Sequence, residues 1–306
     1  PIERGVETGI GVIDLFTPLC VGQRLGIFAG SGVGKSTLTG MLANSGKFDV
    51  TVVAMIGERG REVKEFIDSR LAMSTSNVVA VAATSDDSAL MRRMAAWTAM
   101  TVAESFRDKG KSVLLILDSI TRFSHACREI AIAANEPPVS RGFPPSVFSE
   151  LPRLLERAGP GPRDSGDITA IFAVLVDGDD HNDPIADAVR GILDGHIVLD
   201  RAIAGQGRYP AVDIVGSISR LTHIALSPER QAFSNKLRRL IGRFEEARDL
   251  RAMGGYQPGL DMELDTAVAI IPLVYSQLNQ AAVSNDPFDI FHQIVDVLKQ
   301  HGATPG

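Results

Sequence analysis

Residues 29–36 decide the fold, and they read Ala-Gly-Ser-Gly-Val-Gly-Lys-Ser. The apolar run at 25–28 precedes them and predicts a buried strand, and 37–43 has the composition of a helix. A strand, a glycine-rich loop, Gly-Lys-Ser and a helix follow one another in this order in the P-loop. Glycines let backbone N–H groups curl around phosphate oxygens, and the helix directs its positive dipole end at the same anion. The stretch therefore predicts a phosphate-binding loop.

The residues predicted to hold the nucleotide are Gly30, Ser31, Gly32, Val33, Gly34, Lys35, Ser36 and Thr37. Lys35 is expected to reach the β- and γ-phosphates, and the Ser36 hydroxyl to help hold Mg²⁺. Ala29 stands where the usual pattern opens with glycine. A glycine-rich turn that binds nothing is the alternative, and the added Gly-Lys-Ser-Thr argues against it.

Composition and charge narrow the class of protein. The 306 residues are 44% hydrophobic and 22% charged, which is typical of a soluble globular protein of one large or two ordinary domains. The formal net charge of −6 gives no support for a nucleic-acid partner. No apolar stretch is long enough to span a bilayer. Cys20 and Cys127 form no CxxC pair, so reduced cytosolic thiols are expected. Without an initiator Met or a signal peptide, the chain is expected to be a fragment or a processed product.

Strand and helix patterns alternate along the first part of the chain. Continuous apolar runs predict strands at 25–29, 49–56, 78–82, 112–117 and 168–176, with short strands near 195–199 and 212–215. This alternation predicts a mostly parallel sheet with helices on both faces. A single helix is expected from about Val63 to Leu71, and Ser85-Asp86-Asp87 is expected to cap a helix that runs to about Asp108. From about Pro228 the pattern is helical only, so we predict an α/β domain at 1–222 and a small all-helical domain at 223–306.

Two carboxylates follow predicted strands at the edge where open α/β sheets place their ligands. Asp118 ends the apolar strand 113–117, the Walker B pattern, and would position Mg²⁺ beside Ser36. A cap of the next helix is the alternative for this aspartate. Glu58 ends another strand and could polarise the attacking water. Arg59 could reach the phosphate and Glu62 could hold a metal-bound water, although a solvated charged loop is the alternative for all three.

The residue types alone do not decide the roles of three further features. Tyr209 precedes a proline and could stack on adenine, although a packing residue in a turn is the more common case. Arg220 is either a surface arginine or an arginine finger. The acidic stretch 177–183 lacks the glycine and the glutamate of an EF-hand loop, so an ordinary acidic loop is favoured. The histidines form no HxxxH or HExxH cluster, and no zinc site is predicted.

Taken together, these motifs resemble those of the catalytic subunits of the rotary ATP synthase group, most closely the flagellar and type III secretion export ATPases. The similar segments are 22–36 with Ala at 29, 57–62 (Gly-Glu-Arg-Gly-Arg-Glu), 117–123, 144–152, 194–201 and 209–213. The resemblance covers essentially the whole chain. It implies a RecA-like P-loop NTPase domain followed by a helical domain, and Mg²⁺-dependent ATP hydrolysis at sites between the subunits of a homohexamer.

The resemblance also implies individual roles. Glu58 matches the catalytic carboxylate, Tyr209 the adenine-stacking tyrosine, and Arg220 the arginine finger that enters the neighbouring subunit's site. Arg122 matches an inter-subunit or phosphate-side arginine. Loop 177–183 matches the segment that faces the central hole, which implies contact with a central stalk protein there.

Other expectations concern the protein's surroundings. The family implies partners in an export gate, export substrates and chaperones, no nucleic acid, and a cytoplasmic location at the inner face of the inner membrane through those partners. The chain is expected to begin after the family's N-terminal β-barrel. A catalytic subunit of an ATP synthase, a non-catalytic ring subunit and an RNA translocase of the Rho kind remain the alternatives.

Overall fold

The computed structural model describes residues 1–71, 77–176, 183–281, 283, 289–300 and 302. The strands are β1 (Gly5–Val6), β2 (Leu19–Cys20), β3 (Arg24–Ala29), β4 (Val50–Glu58), β5 (Asn77–Thr84), β6 (Val113–Asp118), β7 (Gly159–Pro160), β8 (Asp167–Leu175), β9 (Gly195–Leu199) and β10 (Val212–Ser219). The helices are α1 (Gly11–Phe16), α2 (Lys35–Ala43), α3 (Gly60–Glu65), α4 (Ala89–Arg107), α5 (Ile120–Ala133), α6 (Pro145–Leu155), α7 (Pro184–Ile192), α8 (Arg201–Gly205), α9 (Thr222–Ala225), α10 (Pro228–Glu246), α11 (Arg248–Ala252), α12 (Met262–Leu278) and α13 (Ile290–Gln300).

The main sheet has the order β10-β9-β3-β8-β6-β4-β5. Its strands are parallel from β9 to β5, and β10 runs antiparallel on one edge. Strand β6 is buried along its whole length, which explains why its sequence is a nearly continuous apolar run that ends in Asp118. The predicted α/β fold with a mostly parallel sheet is therefore confirmed.

Register brings the carboxyl ends of the central strands to one edge of the sheet. Ala29 at the end of β3 pairs with Leu175 of β8 and Leu199 of β9. Asp118 at the end of β6 pairs with Met55 of β4, three residues before Glu58. The P-loop, Glu58 and Asp118 therefore emerge on the same edge, which is where this class of sheet binds ligands.

Two apolar clusters cover the faces of the sheet. Helices α4 to α7 pack on one face, around residues such as Ala99, Leu115 and Phe172. The other cluster joins α1 and α2 to the C-terminal helices α10, α12 and α13, through residues such as Leu240 and Ile271. The helical region therefore shares its core with the sheet, and the division at 222/223 stays a prediction.

Two local predictions need correction. The cap of α4 is Ser88, whose Oγ accepts from the Met91 N–H, and not the segment Ser85-Asp86-Asp87. Asp87 instead accepts from the Thr84 N–H at 2.6 Å and closes the turn after β5. The single helix expected after Glu62 is α3 followed by a π-helical segment, Phe66–Leu71. Within the described ranges no helix combines the length and apolar character needed to cross a membrane.

Candidate nucleotide-binding site

The P-loop joins β3 to α2 in a backbone conformation that favours glycine. Gly32 has φ = 77° and Gly34 has φ = 100°, values that side-chain-bearing residues rarely adopt. A Cβ added at either residue would meet nothing within 4 Å, so both glycines border open space. The loop therefore presents its backbone to a cleft in front of the helix N-terminus, as an anion cradle requires.

A cleft of about 590 Å³ lies against this loop. Most of the residues predicted to bind nucleotide line it, namely Gly30, Ser31, Gly32, Gly34, Lys35, Ser36 and Thr37. Glu58, Arg59 and Glu62 form another part of the wall. The Val33 side chain is buried in the apolar core, so only its backbone is available to a ligand. The predicted phosphate-side residues thus converge on one cavity.

Lys35 is the electrostatic centre of the site. Its ammonium group donates to Asp118 Oδ1 and lies 3.8 Å from Glu58 Oε1. The side chains of Lys35, Glu58 and Asp118 are only 10%, 13% and 6% exposed. Because water is largely excluded, the charges act on one another through a low effective dielectric. One cation therefore faces two carboxylates at the base of the cleft.

Burial raises the pKa of Glu58, and the negative charge of Asp118 adds to that effect. The positive charges of Lys35 and Arg122 act in the opposite direction and hold the pKa down. Glu58 Oε1 is buried and accepts no hydrogen bond from the described residues. A carboxylate with a raised pKa and an oxygen that accepts no hydrogen bond from the described residues is a suitable acceptor for a proton from a bound water.

A second cavity of about 180 Å³ adjoins the cleft and is walled in part by Ser36, Glu58, Glu62 and Asp118. Hydroxyl and carboxylate oxygens are the donors that Mg²⁺ prefers, together with phosphate oxygens and water. Ser36 and Glu62 line both cavities. The donor set beside the P-loop therefore fits Mg²⁺ bound with a nucleotide.

Backbone conformation and close packing explain why the residue before Glu58 is a glycine, Gly57. It has φ = 71°, and an added Cβ would lie 3.0 Å from the Cβ of Arg122. The close approach packs β4 against the start of α5 and places Arg122 in the wall of the cleft. Arg59 also reaches the wall, with a side chain that is 82% exposed and an ion pair to Glu62 at 3.6 Å.

Tyr209 and Arg220 lie outside the walls of the cleft. Tyr209 is 44% exposed, and its backbone N–H donates to Asn279 Oδ1 at 2.9 Å. Arg220 is exposed directly after β10 and lines a separate cavity of about 420 Å³. Its N–H donates to the Asp194 carbonyl at 2.9 Å. Neither predicted role is tested by these positions, and both remain predictions.

Arg201 is a site residue to which sequence reasoning assigned no role. Its guanidinium donates to the Ser31 carbonyl at 3.2 Å. The available signal was its place just after β9, which is the parallel neighbour of the P-loop strand β3.

Residues 177–182 of the acidic loop lie outside the described residues. Asp183 caps α7 by accepting from the Ile185 and Ala186 N–H groups.

Fold and cleft together define a P-loop nucleotide-binding protein. The model of the ATP synthase alpha/beta family, nucleotide-binding domain, matches residues 9–219, and that of the T3SS EscN ATPase C-terminal domain matches residues 226–300. The chain belongs to the ATP synthase alpha/beta family, in its branch of flagellar and type III secretion ATPases.

Similar proteins agree with this membership. The chain is 58% identical over 298 residues to the flagellum-specific ATP synthase of Rhizobium meliloti (strain 1021), covering 97% of this chain and 64% of that protein. The assembled ATPase EscN of the enteropathogenic E. coli type III secretion system matches with a TM-score of 0.89 and 45% identity, over 99% of this chain and 72% of that one. EscN in complex with its central stalk EscO matches with a TM-score of 0.85 and 44% identity, again over 99% and 72%.

Proposed function

We propose that the protein is a Mg²⁺-dependent ATP hydrolase of a flagellar, type III-like export apparatus. One observation carries the proposal: the P-loop, Lys35 and Glu58 line one cleft at the carboxyl edge of the sheet, and Asp118 contacts Lys35 from the adjoining cavity. A phosphate cradle alone would indicate binding, whereas a buried carboxylate opposite the cradle adds a group that can activate water.

The phosphate side of the site is assigned to the P-loop. The backbone of residues 30–37 and the Lys35 ammonium hold the β- and γ-phosphates. Ser36, Asp118 and Glu62 would hold Mg²⁺, directly or through its water ligands. When bound, Mg²⁺ would supply positive charge that offsets the negative charge developing on the phosphates during transfer. Lys35 exchanges its contact with Asp118 for one with phosphate when the nucleotide enters.

Glu58 orients the attacking water and accepts its proton. This role fits the Oε1 atom, which accepts no hydrogen bond from the described residues, and the raised pKa, because a base with a higher pKa holds a proton more strongly. Arg59 and Arg122 stand at the cleft wall and supply positive charge toward the γ-phosphate. Their exposure leaves both free to adjust when a nucleotide is present.

The remaining predicted site residues act at the edges of the site. Tyr209 stacks on adenine, and Arg220 enters the cleft of the neighbouring subunit in a homohexamer. Arg220 lies outside the cleft of its own chain, so a role in the neighbour's site would bring it to a phosphate. An arginine supplied in this way can raise turnover by about 10³–10⁵.

The wider assignment follows the relatives' names. The flagellum-specific ATP synthase of Rhizobium meliloti (strain 1021) is 58% identical to this chain, against 49% for the type 3 secretion system ATPase of Xanthomonas euvesicatoria, which favours flagellar export. Loop 177–183 would contact a central stalk protein, with an export gate, substrates and chaperones as further partners. The protein would work in the cytoplasm at the inner face of the inner membrane. The presence of Glu58 speaks against a non-catalytic ring subunit.

Steady-state phosphate release from MgATP tests the proposal. The unmodified protein should turn over MgATP, and Lys35→Ala should abolish turnover because it removes the phosphate-binding ammonium. Lys109→Ala is the matched control, since Lys109 lies past the far end of α4. Nucleotide binding without turnover would instead indicate a non-catalytic subunit, and stimulation by RNA would favour the translocase alternative.

A further inference from the structure

The turn at Arg208 and Tyr209 links the phosphate end of the site to the C-terminal helices. It follows α8, whose first residue, Arg201, contacts the Ser31 carbonyl of the P-loop. A five-residue helix such as α8 is only about 7 Å long. The turn therefore stands one short helix away from the phosphate loop and carries the tyrosine proposed to stack on the base.

Arg208, Glu245 and Tyr275 form a closed triad around this turn. The Tyr275 hydroxyl donates to Glu245 Oε1 at 2.6 Å, and Arg208 Nη2 lies 3.4 Å from the same oxygen. The Arg208 guanidinium also lies 3.9 Å from the centroid of the Tyr275 ring, in a cation–π arrangement. Each member thus contacts both others, and two of them belong to α10 and α12.

The triad is partly shielded from solvent. The side chains of Arg208 and Glu245 are 19% and 33% exposed. Burial, together with the hydrogen bond to Glu245, holds the pKa of Tyr275 well above its usual range. The hydroxyl consequently stays protonated and keeps donating at physiological pH. Charge-assisted hydrogen bonds in such surroundings are among the stronger side-chain contacts.

The backbone of the turn is held by the same region. The Tyr209 N–H donates to Asn279 Oδ1 at 2.9 Å, and the Gln280 N–H donates to the Tyr209 carbonyl at 2.7 Å. The Gln280 side chain in turn accepts from the Gly11 N–H at 2.6 Å and donates to the Gly9 carbonyl at 3.1 Å. Both backbone polar groups of Tyr209 are therefore bonded to the end of α12, which is itself anchored to the N-terminal segment.

From these contacts we propose that Glu245 and Tyr275 are positioning residues for the base of the nucleotide: they hold Arg208, and with it the Tyr209 ring, in the place where adenine stacks. The inference rests on the proposed function, because it takes Tyr209 as the platform for the base. The Tyr209 side chain remains 44% exposed while its backbone is fixed, which is the combination that a preorganised stacking surface requires.

Two ligands separate base binding from phosphate binding. Dissociation constants for MgATP and for magnesium tripolyphosphate are measured by calorimetry. The preference for MgATP is the dissociation constant of magnesium tripolyphosphate divided by that of MgATP. Tripolyphosphate occupies the P-loop but has no base to stack. Tyr209→Ala should bring the preference close to one. Glu245→Gln and Tyr275→Phe should lower the preference by about three- to tenfold through weaker MgATP binding alone.

The chain offers a matched control between the same two helices. Arg239 of α10 pairs with Glu263 of α12 at 2.7 Å, away from the turn. Glu263→Gln removes the same charge as Glu245→Gln and should leave the preference unchanged. Adding Tyr275→Phe to Tyr209→Ala should lower the preference no further, because both changes act on one platform. A general loss of structure would weaken both ligands together.

The outcomes are distinguishable. If the unmodified protein binds neither ligand, the proposed function fails and this inference with it. If it binds both equally, Tyr209 is no base platform. If it prefers MgATP and that preference survives in both Glu245→Gln and Tyr275→Phe, the positioning role is overturned while the ATPase proposal stands.

Discussion

Replacing Glu58 by glutamine separates hydrolysis from binding in this site. The two side chains have nearly the same shape, but the amide cannot accept a proton from water at neutral pH. Since Lys35 keeps its contact with Asp118, the phosphate cradle should persist in Glu58→Gln. We expect turnover to fall by about 10²–10⁴, the usual contribution of a general base.

The structure also predicts the direction of the change in affinity. At 3.8 Å and an effective dielectric of 20, the attraction between Lys35 and Glu58 is worth about 4 kcal/mol before desolvation is counted. The negative charge of the Glu58 carboxylate also repels the incoming phosphates. Removing the Glu58 charge releases Lys35 and lowers this repulsion, so Glu58→Gln should bind MgATP as tightly as the unmodified protein, or more tightly.

Single-turnover hydrolysis and equilibrium binding of MgATP measure the two quantities separately. Glu156→Gln serves as the control for charge, because Glu156 is exposed at the end of α6 and does not line the cleft. Its effect on the hydrolysis step should be much smaller than that of Glu58→Gln. Unchanged hydrolysis in Glu58→Gln would refute the base assignment. Binding weakened by tenfold or more would show instead that Glu58 acts mainly by holding Lys35.

Three further predictions address the shared site, the base and the backbone. Mixing Lys35→Ala with Arg220→Ala protein should restore part of the ATPase activity, since one of the mixed interfaces has both groups intact; no recovery over either variant would count against sites built by two subunits. Because the pKa of Glu58 is raised and the base works deprotonated, kcat should begin to fall with decreasing pH above the ordinary glutamate value of 4.5, and a flat profile down to that pH would contradict the assignment. Gly57→Ala should lower the free energy of unfolding by about 1–3 kcal/mol, since the residue has φ = 71° and the added methyl would meet a side-chain carbon at 3.0 Å. Gly191→Ala, in α7 with open space around its Cβ position, should leave the midpoint of thermal unfolding unchanged or raise it slightly, because alanine favours a helix over glycine. Equal stability of the two variants would argue against the strain.

Much of the site could be predicted because its signals are local. The P-loop needs glycines at fixed offsets within a few residues, and a carboxylate after a buried apolar strand marks the ligand edge of a parallel sheet. The starts of helices were less predictable. Ser85 and Ser88 are equally good capping residues in composition, and the choice was made by Asp87, which closes the turn after β5.

By itself, the sequence determined the fold class, the phosphate loop and the carboxylates at positions 58 and 118, since periodicity and short motifs specify each of them. Only the tertiary structure decided which groups touch. Parallel register joins Lys35 to Asp118 and Glu58, and the packing of α10 and α12 brings Glu245 and Tyr275 to Arg208. Such contacts join residues 23 to 83 positions apart, and no local pattern encodes them, because they depend on how strands align and how helices dock.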